Sequence, residues 1–505
     1  MAQPCPYNPS SDANPLKTTN PQKPMTWHSH VPTTSQAMPI PSKPSTHEKP
    51  MTWHSHVPTI RQPTTTSLPR PPLGAENLRR NVFFTIFVHH SHTVPMKIKK
   101  IDIRLFRGLK EVALKDLDPK VNLFVGINGA GKSSILDAMS IVFTWYVARM
   151  SSSKNRGANI AKDDISNFSS GDCCLMLDVD GAGSWELYRS RSYQKKGKSA
   201  LSSLNNFVSR LREQMDNTPG ADIPLVVHYG VNRLVPDSYP RLKNDRTEYS
   251  QLDALRNAMT ASLSFADLFK WFRASEDYEN EMYRAGHSFR DRGLDAVRRA
   301  LEAILPDYHD LKVTRRPLAL TMKKGNDTFR LNQLSDGEKC YIALVCDIAR
   351  RLSIANPEGD PLQGRGIVLI DEIELHLHPK WQQTVVSRLT HTFPNCQFFI
   401  TTHSPIVASD TNGKVYAVKN GEVVPQQTFG KLSSSILSSV FDISMARSLY
   451  VQSLIDNAYA AIANRREDEY RRLLQELAGI LGADDPDITG LKIEKMRRDK
   501  NRGQQ

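Results

Sequence analysis

Gly126, Gly131, Lys132 and Ser133, spaced as in GINGAGKS, are the residue types needed to hold a chain of phosphates. The glycines let backbone amides turn inward around phosphate oxygens. The lysine amine reaches the β/γ-phosphates and the serine hydroxyl ligates Mg²⁺. Asn128, Gly129, Ala130 and Ser134 belong to the same turn and count as nucleotide contacts. Much later, Asp371 and Glu372 follow the apolar run GIVLI. Adjacent residues at a strand end point in different directions, so the two acids can do different work. Asp371 is placed to hold the Mg²⁺ through water, and Glu372 to orient and polarise the attacking water. His403 ends another apolar run, CQFFITTH, where an imidazole can contact the γ-phosphate or hold that water. The chemistry implied is metal-assisted hydrolysis of a nucleoside triphosphate, with Glu372 and His403 as the catalytic pair.

These residues need particular elements to bring them together. The mostly apolar run VNLFV precedes the glycine turn and reads as a buried strand, and the apolar stretch from Ser133 reads as a helix. The unbroken apolar run of residues 366–370 marks a strand covered on both faces, as in parallel sheets. An α/β fold follows. A second helix start lies at LSDGEK, where Ser335 and Glu338 have capping-box spacing ahead of an apolar-periodic run. Such a start with a glycine and a serine is itself a seat for phosphate. The chain therefore carries two.

Residues 1–95 differ from the rest. They hold 17 of the 31 prolines and 8 of the 15 histidines, few clustered aliphatics, and two copies of KPMTWHSHVPT at 23–33 and 49–59. Such a stretch cannot bury enough apolar surface to offset chain entropy, so it is expected to be a disordered extension. His28, His30, His54 and His56 invite a metal reading; duplicated DNA upstream of a true start at Met96 is the simpler one. VFFTIFV is too short to span a membrane, and six cysteines without a CxxC pair read as reduced and cytoplasmic. The net charge of +13 permits a nucleic-acid partner without requiring one.

The order GINGAGKS, LSDGEK, LIDE, TTHSP resembles the ATPase heads of the ABC/SMC/RecF superfamily, over residues 96–405. That resemblance implies a P-loop NTPase of ABC/SMC head type binding ATP and Mg²⁺. ELHLHP is similar to RecF-like and OLD-like bacterial ATPases rather than transporter subunits, and it makes His376 and His378 local structure behind the active site. It also implies that Ser335 and Gly337 cap the γ-phosphate held by a second copy, so that two heads sandwich two ATP molecules. LSDGEK departs from the transporter LSGGQ at Asp336 and Glu338. The family's loop glutamine has no clear counterpart. Asn232, after the strand LVVHY, is the candidate for its magnesium-facing role, and Arg107 is a candidate nucleotide contact.

The expected organisation is an N-terminal lobe at 96–239, a helical insertion at 240–310, a C-terminal lobe at 311–410 and a helical interaction module at 411–505. In the insertion, Glu276, Asp277, Glu279 and Glu281 read as a solvated helix face. The end of the chain, rich in Lys and Arg from Lys492, reads as a solvated basic tail or a phosphate-backbone contact. The short insertion and helical C-terminus resemble the ATPases of the Septu and retron-associated antiphage systems, the PtuA-like group. The resemblance implies a homodimer or larger oligomer, a separately encoded HNH nuclease, and in retrons a reverse transcriptase with its RNA–DNA product. A RecF-like ATPase of DNA repair is the alternative, and a transporter ATPase subunit a weaker third.

Overall fold

The computed structural model describes residues 96–502 apart from 168–170, 192–196, 237–238, 240–247 and 442–447. The expectations for the extension 1–95, including its repeat and its four histidines, lie outside the described residues.

In chain order, β1 (Ile98–Phe106) and β2 (Leu109–Lys115) form a hairpin and β3 (Val121–Val125) leads into the glycine turn. A second hairpin follows, β4 (Cys173–Val179) with β5 (Gly183–Arg189), then β6 (Leu225–Tyr229). β7 (Tyr308–Arg315), β8 (Leu318–Lys324) and β9 (Asp327–Arg330) make a meander. β10 (Gly366–Ile370), β11 (Cys396–Thr402), β12 (Lys414–Lys419) and β13 (Glu422–Gln426) complete the set. The central sheet runs β13-β12-β3-β11-β10-β6, and an antiparallel sheet runs β2-β1-β4-β5.

Every neighbouring pair from β12 to β6 is parallel, with β13 as an antiparallel edge. All residues of β3, β6, β10 and β11 are buried, as continuous apolar runs demand of strands covered on both faces. Of the polar exceptions, Asn122 pairs with the Asp118 backbone through both ends of its amide. Gln397 Oε1 accepts from Ile98 N at 2.7 Å, while its Nε2 donates to Ile98 O and Asp118 O, tying β11 to the second sheet. The register sets Thr402 beside Val125 and Ile370 beside both Ile400 and Tyr229, so the carboxyl ends of β3, β11, β10 and β6 align. In open parallel sheets that edge is where ligands bind.

Two helices begin at the glycine turn and at LSDGEK. The cradle helix, Lys132–Ser151, buries Ile135, Leu136, Met139, Val142, Phe143 and Tyr146. The signature helix, Asp336–Ala355, is buried nearly all round and carries a charged cluster in its interior. Asp347 accepts from Arg350 at 2.6 Å, Arg351 at 2.8 Å and the Tyr229 hydroxyl at 2.8 Å. Removing one partner from such a buried cluster costs about 3–5 kcal/mol. It therefore holds the signature helix firmly to the end of β6.

Two expectations are corrected. Glu276 is not on a solvated face: it is buried, accepts from Val313 N, and pairs with Arg315 at 3.0 Å and Arg298 at 3.5 Å. Its partners come from β7 and the next helix, which local charge spacing cannot reveal. Residues 414–426, expected in the C-terminal module, supply β12 and β13 of the central sheet, and the head's core extends through Phe441. The basic end of the chain is a helix, Pro486–Arg502: Lys492, Arg497, Arg498 and Lys500 are exposed, as expected of a solvated stretch, while Ile488 and Leu491 ahead of them are fully buried. With Leu449–Ala463 and Glu467–Leu481 it closes a separate small core.

Candidate active site

Gly131 opens the cradle helix at φ 106°, a left-handed conformation suited to glycine, and a Cβ there would stand 2.8 Å from Leu109 Cδ2. The turn seats Lys132, which is 4% exposed. Its ammonium donates to Gly126 O at 3.0 Å and Ile127 O at 3.1 Å, and lies 2.8 Å from His403 Nε2. Asn128 and Gly129 form the exposed apex of the turn, while Ala130 is buried and Ser134 half-buried. Burial pushes Lys132 below its usual range, countered by Asp371, Glu372 and Glu374. Burial and the Lys132 charge likewise depress His403. For Nε2 to accept from the Lys132 ammonium the imidazole must be neutral, the form that the lowered pKa favours.

Ser133 Oγ donates to Asp371 Oδ1 at 3.0 Å, and Thr401 Oγ1 donates to the same oxygen. A hydroxyl and a carboxylate side by side at the cradle mouth are hard oxygen donors suited to Mg²⁺. That ion takes one or two protein ligands and fills its shell with water and phosphate. The donor set fits, and among the described residues no cluster of three His, Cys, Asp or Glu competes as a metal site.

Glu372 sits at φ 46°, unusual for a residue with a side chain. Its N–H donates to Thr401 Oγ1 at 2.8 Å, and its carboxylate stands 3.7 Å from His403 Nε2. Its carbonyl accepts from Arg233, which is 4% exposed and also donates to Asp371 O at 2.5 Å and Gly230 O at 3.0 Å. Glu374 holds the other side: it accepts from Thr402 Oγ1 at 2.7 Å and from the His403 amide, fixing the end of β11. Arg233, Glu374, Thr401 and Thr402 were not singled out from sequence. Their signal, polar residues at the ends of apolar runs, was present in LVVHYGVNR, LIDEIE and FFITTH.

Lys132, Ser133, Asp371, Glu372 and His403 thus converge as expected. Ser335 does not join them. It caps the signature helix, its Oγ accepting from Glu338 N at 3.3 Å and donating to Glu338 Oε2 at 2.9 Å. Gly337 has no room for a side chain, because a Cβ there would run into the His376 carbonyl. The helix start is packed on the loop behind Glu372, and His378 caps the short helix that follows by accepting from Lys380 N. Asn232 is exposed, whereas its neighbour Arg233 enters the site. Arg107 is tied to Asp164 at 2.9 Å and to Asp137 of the cradle helix.

The RecF/RecN/SMC N terminal domain matches residues 97–423, from the first strand through the edge of the central sheet. The chain belongs to the RecF/RecN/SMC family. Within this family it is similar to the "Retron Ec83 probable ATPase" of Escherichia coli, at 28% identity over 80% of this chain and 87% of that one. The "Retron Vc95 probable ATPase" of Vibrio cholerae matches at 29% over 64% and 74%. "Septu protein PtuA" of Bacillus mycoides matches at 24% over 75% and 50%. The RecF/RecN/SMC-type head here is accordingly of the PtuA-like kind, and no helix among its described residues is long and apolar enough to cross a membrane.

Proposed function

We propose that this chain binds and hydrolyses ATP as a dimerising switch controlling a partner nuclease in bacterial antiphage defence. The observation that carries the reading is the division of phosphate-binding parts. Lys132, Ser133, Asp371 and His403 gather in a single chain at the ends of β3, β10 and β11, whereas Ser335 is held at its own helix start and does not join them. A second copy supplies what the first lacks.

In this reading Lys132 leaves the Gly126 and Ile127 carbonyls for the β/γ-phosphates, and Ser133 with Asp371 holds Mg²⁺. When bound, the ion neutralises phosphate charge and orients the terminal phosphoryl group. Glu372 takes the proton of the attacking water, and neutral His403 accepts a hydrogen bond that fixes that water or donates to the departing phosphate. The arrangement in which Ser335 of one copy touches the other's γ-phosphate is lost once that phosphate leaves, so hydrolysis opens the pair.

The similarity to retron and Septu proteins supports the defence setting, and a separately encoded HNH nuclease is the proposed partner, joined in retron-type systems by a reverse transcriptase and its RNA–DNA. The test is light scattering with and without ATP, on the chain alone and co-expressed with its neighbouring genes. ATP-dependent gain in mass that Ser335→Arg abolishes, with a nuclease co-purifying, is expected. Equal mass under both conditions and for both proteins would overturn the switch. Loading of recombination proteins onto DNA with no nuclease retained would favour the RecF-like alternative.

A further inference from the structure

Glu338, the third residue of the signature helix, receives four hydrogen bonds. Oε2 accepts from Ser335 N and Ser335 Oγ, both at 2.9 Å. Oε1 accepts from Lys324 Nζ at 2.6 Å and from the Tyr308 hydroxyl. Lys324 and Tyr308 are directly opposite each other in the β7–β8 ladder, and the ammonium lies 5.1 Å from the Tyr308 ring centroid. Sheet register thus aims both side chains at one carboxylate. Neither residue belongs to LSDGEK.

A serine hydroxyl has one proton to give. Here Ser335 gives it to Glu338, so a phosphate arriving at the helix start must win that proton from a carboxylate beside it. An unneutralised carboxylate would hold the hydroxyl more strongly and repel the phosphate. Against the upward push of partial burial, the hydrogen bonds from Lys324, Tyr308 and Ser335 hold the Glu338 carboxyl down to about 2. The acid therefore stays ionised at any working pH, and its charge needs a permanent counter-charge.

We propose that Lys324 is a positioning residue for the signature serine: it neutralises Glu338 so that the Ser335 hydroxyl can pass to the phosphate presented by a second copy of the chain. This rests on the trans seat proposed above. Lys324 acts through Glu338 and leaves the chain's own cradle untouched, so it governs association and not ATP capture. A purely structural anchor for the helix start would behave differently, since removing Glu338's charge could not repair its loss.

The experiment uses the full chain in a Glu372→Gln background that retains ATP. ATP-dependent mass is followed by light scattering across protein concentrations, with binding of a fluorescent ATP analogue and thermal unfolding measured in parallel. Lys324→Met should raise the concentration for half-assembly about tenfold. That is the lower end for one hydrogen bond to a charged group, because the Lys324 side chain is 41% exposed. Analogue binding should not change. Adding Glu338→Gln, which keeps a capping-box side chain without its charge, should restore most of the assembly. Ser335→Arg is the control on the seat. If it abolishes assembly while Lys324→Met assembles like its parent, the role of Lys324 is refuted and the seat stands. A Lys324→Met defect that Glu338→Gln leaves unrepaired refutes the charge argument. Normal assembly by Ser335→Arg removes the seat, and this proposal with it.

Discussion

Replacing Arg233 by methionine should slow ATP hydrolysis about a hundredfold while sparing ATP binding. The guanidinium donates to the carbonyls of Gly230, Asp371 and Glu372 at 3.0, 2.5 and 2.8 Å. Glu372 is held at φ 46°, a conformation that costs a residue with a side chain about 1–3 kcal/mol. Hydrogen bonds to a charged donor contribute about 1.5–3 kcal/mol each, so the two from Arg233 to Asp371 and Glu372 exceed that strain. Without them the Glu372 peptide relaxes, because the remaining bond from its N–H to Thr401 Oγ1 does not match the strain alone. A rotation of that peptide moves the carboxylate by about 1 Å or more, a displacement that can cost about 10² in rate. Lys132 and Ser133 keep their places, so ATP binding persists. Arg233→Lys should recover only part of the loss, since an ammonium cannot fork across three carbonyls. The assay is phosphate release at saturating ATP beside analogue titration and thermal unfolding. A folded Arg233→Met protein turning over within about threefold of the parent would refute the positioning of Glu372 by Arg233.

Three further outcomes are expected. Glu372→Gln keeps size and hydrogen bonding but cannot take a proton, so single-turnover hydrolysis should fall by about 10²–10⁴ while ATP-dependent assembly grows. His403 has a folded pKa below the 6.5 of a free imidazole, so its neutral form contributes stability above 6.5 that is lost as pH falls through the lower folded value. Turnover should decline on that acid side as a second positive charge forms beside Lys132, and a pH series on His403→Gln should show a flatter acid limb. Ending the chain after Phe441 removes the small helical core but none of the head's, so analogue binding should survive while co-purification of the nuclease is lost. Retention of the nuclease would place its docking surface on the head.

The parts legible in the sequence were those whose signal is local. Residues 121–125, 366–370 and 396–402 appear as strands because an unbroken apolar run has few other places to go. The Ser335–Glu338 box appears as a helix start because its two bonds lie within three residues. What stayed hidden were pairings across sequence distance. Glu276 read as solvated because Arg298 and Arg315 come from other elements. The core contact of the final helix stays hidden because only Ile488 and Leu491 of its polar sequence are fully buried, with no apolar stripe to announce it. LVVHYGVNR shows that Arg233 follows a buried strand but not what it binds; only the folded chain places two carbonyls of the carboxylate turn around it. In the helix Glu467–Leu481, Leu473 and Leu477 are consumed by the small core, whereas Ile480 is exposed at 48%.

Ser335, the proposed trans seat, and Glu372, the proposed catalytic carboxylate, are joined through packed parts of the chain. Ser335 begins the helix whose Asp347 binds the hydroxyl of Tyr229, the last residue of β6. Four residues on, Arg233 grips the carbonyls of Asp371 and Glu372. At its start the same helix presses Gly337 against the His376 carbonyl, in the loop that carries Glu374, and Glu374 holds the His403 amide. A push on Ser335 from a partner's phosphate therefore meets Glu372 along one route and His403 along the other. Buried hydrogen-bonded charges and close backbone contacts yield little, so the helix cannot shift without carrying both catalytic groups. With Ser335 seated on a partner's phosphate as proposed, association and competence of Glu372 become one conformational variable, and the expected outcome is hydrolysis in the pair only, read as a turnover per chain that rises with protein concentration.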